Sequence, residues 1–292
     1  VDFIFGYTAS AWSEYFKKMG HEVTCVNVSF YGEDHDQYQQ NAVVDVNFII
    51  GCPILFQIIA QCGYPTSGRN ILWVLDPLTH QSSFHADKVQ SLEAMENRFD
   101  AIACMDSQIK AYFQNHCSAI PLIEMPYVLD EKRILEPMPE NQKLIDILML
   151  GRRTPRRDRV VESLHAAGLN VNYMHHSCWG SKRQRALRNT KLCLQVSMDE
   201  HIYFDQYRIF EAYAHGAMVI GHEMPDMKKY GFYNGKNIVT CDVEDIPQHC
   251  IKLLEDDHCR MQIIESTQNL IRQNYTVEKL GADMLALFKK IL

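Results

Sequence analysis

Residues 144–174 read LIDILMLGRRTPRRDRVVESLHAAGLNVNYM, and this stretch decides the fold. LIDILMLG is a short apolar run closed by a glycine, the pattern of a strand buried on both faces of a parallel sheet. RDRVVESLHAAG carries a helical period and LNVNYM returns to an extended run. Strand, helix and strand within about thirty residues make a βαβ unit, whose two strands run parallel.

The same alternation continues toward the carboxyl terminus. KLCLQVS (191–197) reads as a strand, DQYRIFEAYAHG (205–216) as a helix, and AMVIGH (217–222) and NIVTC (237–241) as further strands. TVEKLGADMLALFKKIL closes the chain as a helix with Leu280, Met284, Leu287, Phe288 and Ile291 on one face. Toward the amino terminus, LDEKRILEPMPENQK (129–143) is polar, holds two prolines and has no clear period, so it reads as a linker. Before it the α/β pattern recurs. VDFIFGY is a buried strand, Gly6 to Ser10 a turn, and Trp12, Tyr15, Phe16 and Met19 form the apolar stripe of a helix ended by Gly20. HEVTCVNV, DVNFIIG, NILWVLD and FDAIACM follow as strands, and SQIKAYFQNHC as a helix. The expected architecture is α/β, with two tandem Rossmann-like domains over residues 1–135 and 136–292, an interdomain cleft at the carboxyl ends of both sheets, and the last helix returning to the first domain.

Composition bounds the function. With 47% hydrophobic and 22% charged residues over 292 positions, the chain has core material for two ordinary domains and no low-complexity tract. Apolar runs fall short of the ~18 residues that span a bilayer, and the ten cysteines are scattered without a CxxC pair, so a cytoplasmic, reduced protein is expected. Cys250 and Cys259 with His249 and His258 are too widely spaced for a structural zinc site. The net charge of -7 hides an asymmetry: residues 1–140 hold eight basic and 18 acidic side chains, residues 141–292 hold 21 and 18. Ten of those 21 lie between Arg152 and Lys191. Such concentration suits a small anion such as a diphosphate, whereas the acidic first half disfavours a long polyanion lying across the molecule. GxGxxG and GxxxxGK[ST] are absent after the strands, which removes a dinucleotide dehydrogenase and a P-loop kinase.

SEYFKKMGHEVTCVNV resembles the opening of many GT-B glycosyltransferases. DILMLGRRTPRR and YRIFEAYAHGAMVIGHEMPDMKKYGFYNGKNIVT resemble the second domain of the spore-maturation-type (CgeB-like) and group 1 glycosyltransferases, and ILWVLDPLTH is similar to a segment of their first domain. The resemblance implies a GT-B fold. It also implies transfer of a hexosyl or pentosyl group from a nucleoside diphosphate sugar, with a UDP-sugar favoured, to an acceptor hydroxyl on a small molecule, glycan, protein or modified DNA base. No metal or further cofactor is expected, because arginines meet the phosphate.

The candidate residues follow. Gly151 at a strand end lets a ligand approach the backbone, and Arg153, Arg156 and Arg157 beyond it suit phosphate oxygens. Glu211 matches the family glutamate that takes the ribose hydroxyls, with Tyr207 and Arg208 one turn before it; a surface pair of Arg208 with Glu211 is the structural alternative. The family's earlier acid, eight positions before Glu211, is here Tyr203, with Asp205 and Glu200 out of register. Gly216 caps the helix. In the first half, Asp76 follows the run ILWVL and emerges at a strand end, with His80 and His85 beyond, so Asp76 and His80 are the catalytic candidates. Gly6 and Thr8 on the first turn are candidates for the diphosphate. Asp34-His35-Asp36 matches a metal motif of the other major glycosyltransferase fold but reads as a solvated loop. An epimerase of nucleotide sugars and an inert nucleotide-sugar-binding subunit are the rival functions.

Overall fold

The computed structural model describes residues 6–24, 43–51, 67–75, 99–116, 120–174, 180–198 and 202–292. They fall into two compact units, one of Phe5–Val128 with Val277–Leu292 and the other centred on Leu129–Thr276. Each carries a parallel sheet, so the expected α/β class with two Rossmann-like domains is what the chain adopts.

In the first unit, β1 (Val46–Gly51), β2 (Arg69–Val74), β3 (Ala101–Cys104) and β4 (Leu122–Glu124) pair in that order, all parallel. Ile71 to Val74 and Ala101 to Cys104 are buried, as strands covered on both faces must be. α1 (Gly6–Lys18) begins where the sequence suggests a turn. Trp12 and Phe16 of its stripe are buried and stacked 5.4 Å apart, while Met19 at the end is 45% exposed. The last helix (Val277–Ile291; α8 in chain order) belongs to this unit and brings Phe288 to within 5.3 Å of Phe16 and 5.7 Å of Phe48. α1 and α8 meet so closely at Gly281 that a Cβ there would sit 2.2 Å from the Tyr15 ring, so any side chain would push that ring aside. α2 (Ser107–His116) covers β3 and β4.

The second unit contains β5 (Ile145–Leu150), α3 (Pro155–Ala166), β6 (Val171–Met174), α4 (Gly180–Arg188), β7 (Thr190–Gln195), α5 (Gln206–Ala214), β8 (Met218–Gly221), β9 (Val239–Thr240), α6 (Ile246–Glu255) and α7 (Asp257–Asn274). Its sheet order is β6-β5-β7-β8-β9, all parallel. The chain moves outward from β5 to β6, then returns to β7 on the other side, so the crossover direction reverses between β5 and β7. Ligands of open α/β sheets bind at the carboxyl ends of strands flanking such a reversal.

The polar stretch Leu129–Lys143 is hydrogen-bonded along this unit: Leu135 N donates to the Ala214 carbonyl at 2.8 Å, and Gln268 Nε2 to the Leu135 carbonyl at 3.0 Å. Glu140 and Lys143 are buried with Arg260, whose Nε donates to Glu140 Oε2 at 2.8 Å. Asp257 joins the same guanidinium, and Lys143 pairs with Glu140 and donates to the Gly216 carbonyl at 2.6 Å. Polar composition suggests exposed chain here, but Glu140 and Lys143 are buried and paired.

Candidate functional site

The carboxyl end of β5 is a turn followed by a capped helix. Gly151 takes φ +109, a conformation other residues rarely adopt. Thr154 caps α3 by accepting from Arg157 N at 3.4 Å, with Pro155 at the first helical position, so the helix starts two residues before its sequence period becomes visible. This start directs the Arg157 side chain back beneath the turn, where it is fully buried. Arg157 Nε donates to the Val196 carbonyl at 2.8 Å and Nη1 to the Arg152 carbonyl at 2.9 Å. Its guanidinium therefore bridges the ends of β5 and β7, at the reversal point. Among the described residues, Nη2 is buried and has no hydrogen-bond acceptor within 3.5 Å.

Arg208 reaches the same place from α5. A Cβ on Gly151 would lie 3.0 Å from Arg157 Nη1 and 3.6 Å from Arg208 Cζ. Burial, reinforced by the Arg208 charge, lowers the Arg157 pKa to about 10, which leaves it a cation at neutral pH. Two guanidinium groups thus converge on one glycine, an arrangement that an anion stabilises.

Arg208 is oriented by Asp205. Asp205 caps α5, accepting from Arg208 N at 3.1 Å, and its Oδ2 lies 3.1 Å from Arg208 Nε. Tyr203 donates its hydroxyl to the same oxygen at 3.3 Å. Arg208 therefore does not form the surface pair with Glu211 that helical spacing allows. Glu211 pairs with Arg133 instead, Nη1 to Oε1 at 3.1 Å and Nη2 to Oε2 at 3.5 Å. Tyr207 lies under the Arg183 guanidinium, 4.8 Å from its ring centroid, and burial raises its pKa.

The remaining candidates sort as follows. Arg153 is exposed, paired with Asp158 at 2.9 Å, and stacked 5.2 Å from the Tyr173 ring centroid. Arg156 is half-buried, and its charge acts on His222. Gly6 opens α1, and Thr8 is buried with its hydroxyl 3.0 Å from that of Tyr127. Gly216 takes φ +81 just past α5, as a cap does. Asp76, His80, His85, Glu200 and Asp34-His35-Asp36 lie outside the described residues.

Sequence reasoning passed over four participants. Arg133, Ser197, His222 and Arg183 all lie in the second unit. Ser197 and His222 just follow the ends of β7 and β8 and are buried. His222 Nε2 accepts from Ser197 N at 3.4 Å and lies 2.9 Å from its hydroxyl, so in the neutral ring Nδ1 carries the proton. Among the described residues that Nδ1 is buried without a partner, and burial, with the Arg156 charge, lowers the His222 pKa. The rule that points to Gly151, a residue just past a parallel strand, would have found both. Arg133 carries no such signal, being 78 positions from Glu211 in a polar stretch.

Taken together, among the described residues the carboxyl edge of this sheet offers a buried and a half-buried cation, two buried donors without partners and one buried carboxylate on a neighbouring helix. Comparison with known proteins shows the family. A family profile described as "Glycosyl transferase-like" matches residues 131–286. No curated protein matches the chain. Solved structures share the fold at low identity. TarM of S. aureus, in complex with Fondaparinux, alpha-GlcNAc-glycerol and UDP, superposes with TM-score 0.64 at 13% identity over 87% of this chain and 58% of that one. HepE of Anabaena, in complex with UDP-glucose, gives 0.64 at 12% over 95% and 88%. Sucrose-phosphate synthase of Thermosynechococcus elongatus gives 0.61 at 11% over 89% and 76%. The chain thus spans less than two thirds of TarM.

Proposed function

The chain belongs to the glycosyl transferase-like family, and from that membership we propose that it transfers a sugar from a nucleoside diphosphate sugar to an acceptor hydroxyl. One observation carries the reading: Arg157 and Arg208 converge on Gly151 at the reversal point of the second sheet. A diphosphate seated there meets two fixed cations, Arg157 and Arg208. Guanidinium groups held in place before the reaction stabilise the charge that grows on the leaving diphosphate.

In this reading Glu211, on the same helix as Arg208, accepts from the ribose hydroxyls, and Arg153, Arg156 and Tyr207 border the donor. UDP is the favoured nucleotide, since UDP or UDP-glucose is bound in TarM and HepE, which share the fold. Asp76 acts as acid, base or acceptor-binding group with His80 beside it in sequence, and Gly6 approaches the diphosphate. The hexosyl or pentosyl nature of the sugar, the acceptor and the spore-maturation-type subgroup rest on sequence resemblance. Among the described residues, no helix is long and apolar enough to cross a membrane.

A thermal-shift screen of nucleoside diphosphates and their sugars tests the donor site, because a ligand that binds only the folded chain raises its melting temperature. UDP and a UDP-sugar should stand out. Donor turnover with product identification then separates transfer from epimerisation and from inert binding. Failure of every nucleotide to shift the melting curve would sink the proposal.

A further inference from the structure

We propose that Arg133 is a positioning residue: it holds the Glu211 carboxylate oriented, so that each ribose hydroxyl of the bound nucleotide can donate to one of its oxygens. The inference rests on the ribose reading of Glu211 given above.

A carboxylate has about four acceptor positions, two on each oxygen. The Arg133 fork approaches both oxygens, at 3.1 and 3.5 Å, and uses one position on each. One position per oxygen remains, which matches two vicinal hydroxyls. Arg133 therefore orients the acceptor without exhausting it.

The carboxylate also needs a counter-charge, because its side chain is only 4% exposed and an unpaired buried charge is costly. Its own helix supplies none. Arg208, one turn back, is drawn to Asp205. His215, one turn on, bonds the Glu211 carbonyl through Nδ1 at 2.8 Å, and burial lowers its pKa, so it is neutral at pH 7. Arg183 lies over the Tyr207 ring. Among the described residues the ion pair to Glu211 comes from Arg133 alone.

Arg133 is itself held. It ends a 3-10 turn, Glu131–Arg133, which Asp130 caps by accepting from Lys132 N at 3.0 Å, and Arg133 N donates to the Asp130 carbonyl at 2.9 Å. The next residues are tied down, Ile134 by Arg272 at 3.3 Å and Leu135 to the Ala214 carbonyl at the end of α5. The backbone that carries the guanidinium is thus tied to the end of the helix whose carboxylate it orients. Lysine at this position would keep the charge but lose the fork.

The test is calorimetric titration of UDP and of 2',3'-dideoxy-UDP into wild type, Glu211→Ala, Arg133→Ala, Arg133→Lys and the double alanine variant. Glu211→Ala should weaken UDP about 10- to 150-fold, and Arg133→Ala about 10-fold or more. Arg133→Lys should fall between Arg133→Ala and wild type. The dideoxy nucleotide should bind all five proteins alike, and the double variant should be no weaker for UDP than Glu211→Ala alone. Full UDP affinity in Arg133→Ala beside a weakened Glu211→Ala would overturn positioning and leave the ribose reading intact. Additive losses, or equal losses for the dideoxy nucleotide, would also overturn it, since Arg133 would then act on the ligand directly. Full affinity in Glu211→Ala would remove the ribose reading and the positioning with it. Circular dichroism checks folding, and if Arg133→Ala unfolds, Arg133→Gln and Arg133→Lys carry the same comparison.

Discussion

Arg157 Nε donates to the carbonyl oxygen of Val196 across 2.8 Å, fastening the start of α3 to the end of β7. The same guanidinium sits 3.0 Å from where a Gly151 side chain would begin. Gly151→Ala therefore combines backbone strain at φ +109 with pressure on Arg157. Strain of this kind costs about 1–3 kcal/mol. Because Arg157 must move, nucleotide affinity should fall with stability. Urea denaturation and a UDP titration read the two effects, and a variant losing neither would show that the turn tolerates a side chain and that Arg157 is not confined.

The Glu140 cluster should separate buried from exposed charge. Arg260 is fully buried and the Glu140 side chain is 5% exposed, whereas Asp257 on the same guanidinium is 65% exposed. Removing Glu140 strands the Arg260 and Lys143 charges. Glu140→Ala is expected to cost about 3–5 kcal/mol, and Asp257→Ala about 1 kcal/mol or less. Equal urea midpoints for the two variants would contradict this account.

These two predictions show where sequence reading stops. The strands around Gly151 are legible because a buried parallel strand is a largely apolar run, and LIDILMLG, KLCLQVS and AMVIGH each form one. The start of α3 is less legible, since Thr154 and Pro155 set it before any period appears. Tertiary pairing is not legible at all. Helical spacing offers Arg208 to Glu211, but Asp205 takes Arg208 and Arg133 takes Glu211, and nothing local ranks those partners. The Leu129–Lys143 stretch misleads for the same reason: its buried Glu140 is paired by Arg260, 120 positions away.

Acid should destabilise the second unit through two histidines. Burial lowers the pKa of both His215 and His222 from the ordinary 6.5. Between each folded value and 6.5 the unfolded chain binds more protons than the folded one. Their contribution is therefore fully present above pH 6.5 and is lost as pH falls from 6.5 through the folded values. Protonation of His222 would also remove the Nε2 acceptor used by Ser197. Denaturation midpoints measured from pH 8 down to about 5 should fall for wild type and fall less steeply for His215→Asn/His222→Asn. Identical slopes would assign the acid sensitivity to other groups.

Transfer should proceed without a divalent metal. The argument begins with what the leaving group needs: a departing nucleoside diphosphate accumulates negative charge, and a cation must meet it for the bond to break at a useful rate. Glycosyltransferases can meet that need with a metal held by acids or with side chains of fixed charge. This chain places Arg157 and Arg208 at Gly151, and Arg157 keeps its proton far above neutral pH. Asp205, the acid nearest Arg208, is already engaged by that arginine and by Tyr203. Activity with the donor that passes the thermal-shift screen should therefore survive excess EDTA. Arg208→Ala should lower turnover about 100-fold, the scale seen when one preorganised donor is removed from a developing oxyanion, and added magnesium should restore none of it. If chelation abolishes turnover and magnesium or manganese restores it, the arginines are not the electrophile, and Asp34-His35-Asp36 becomes the segment to mutate.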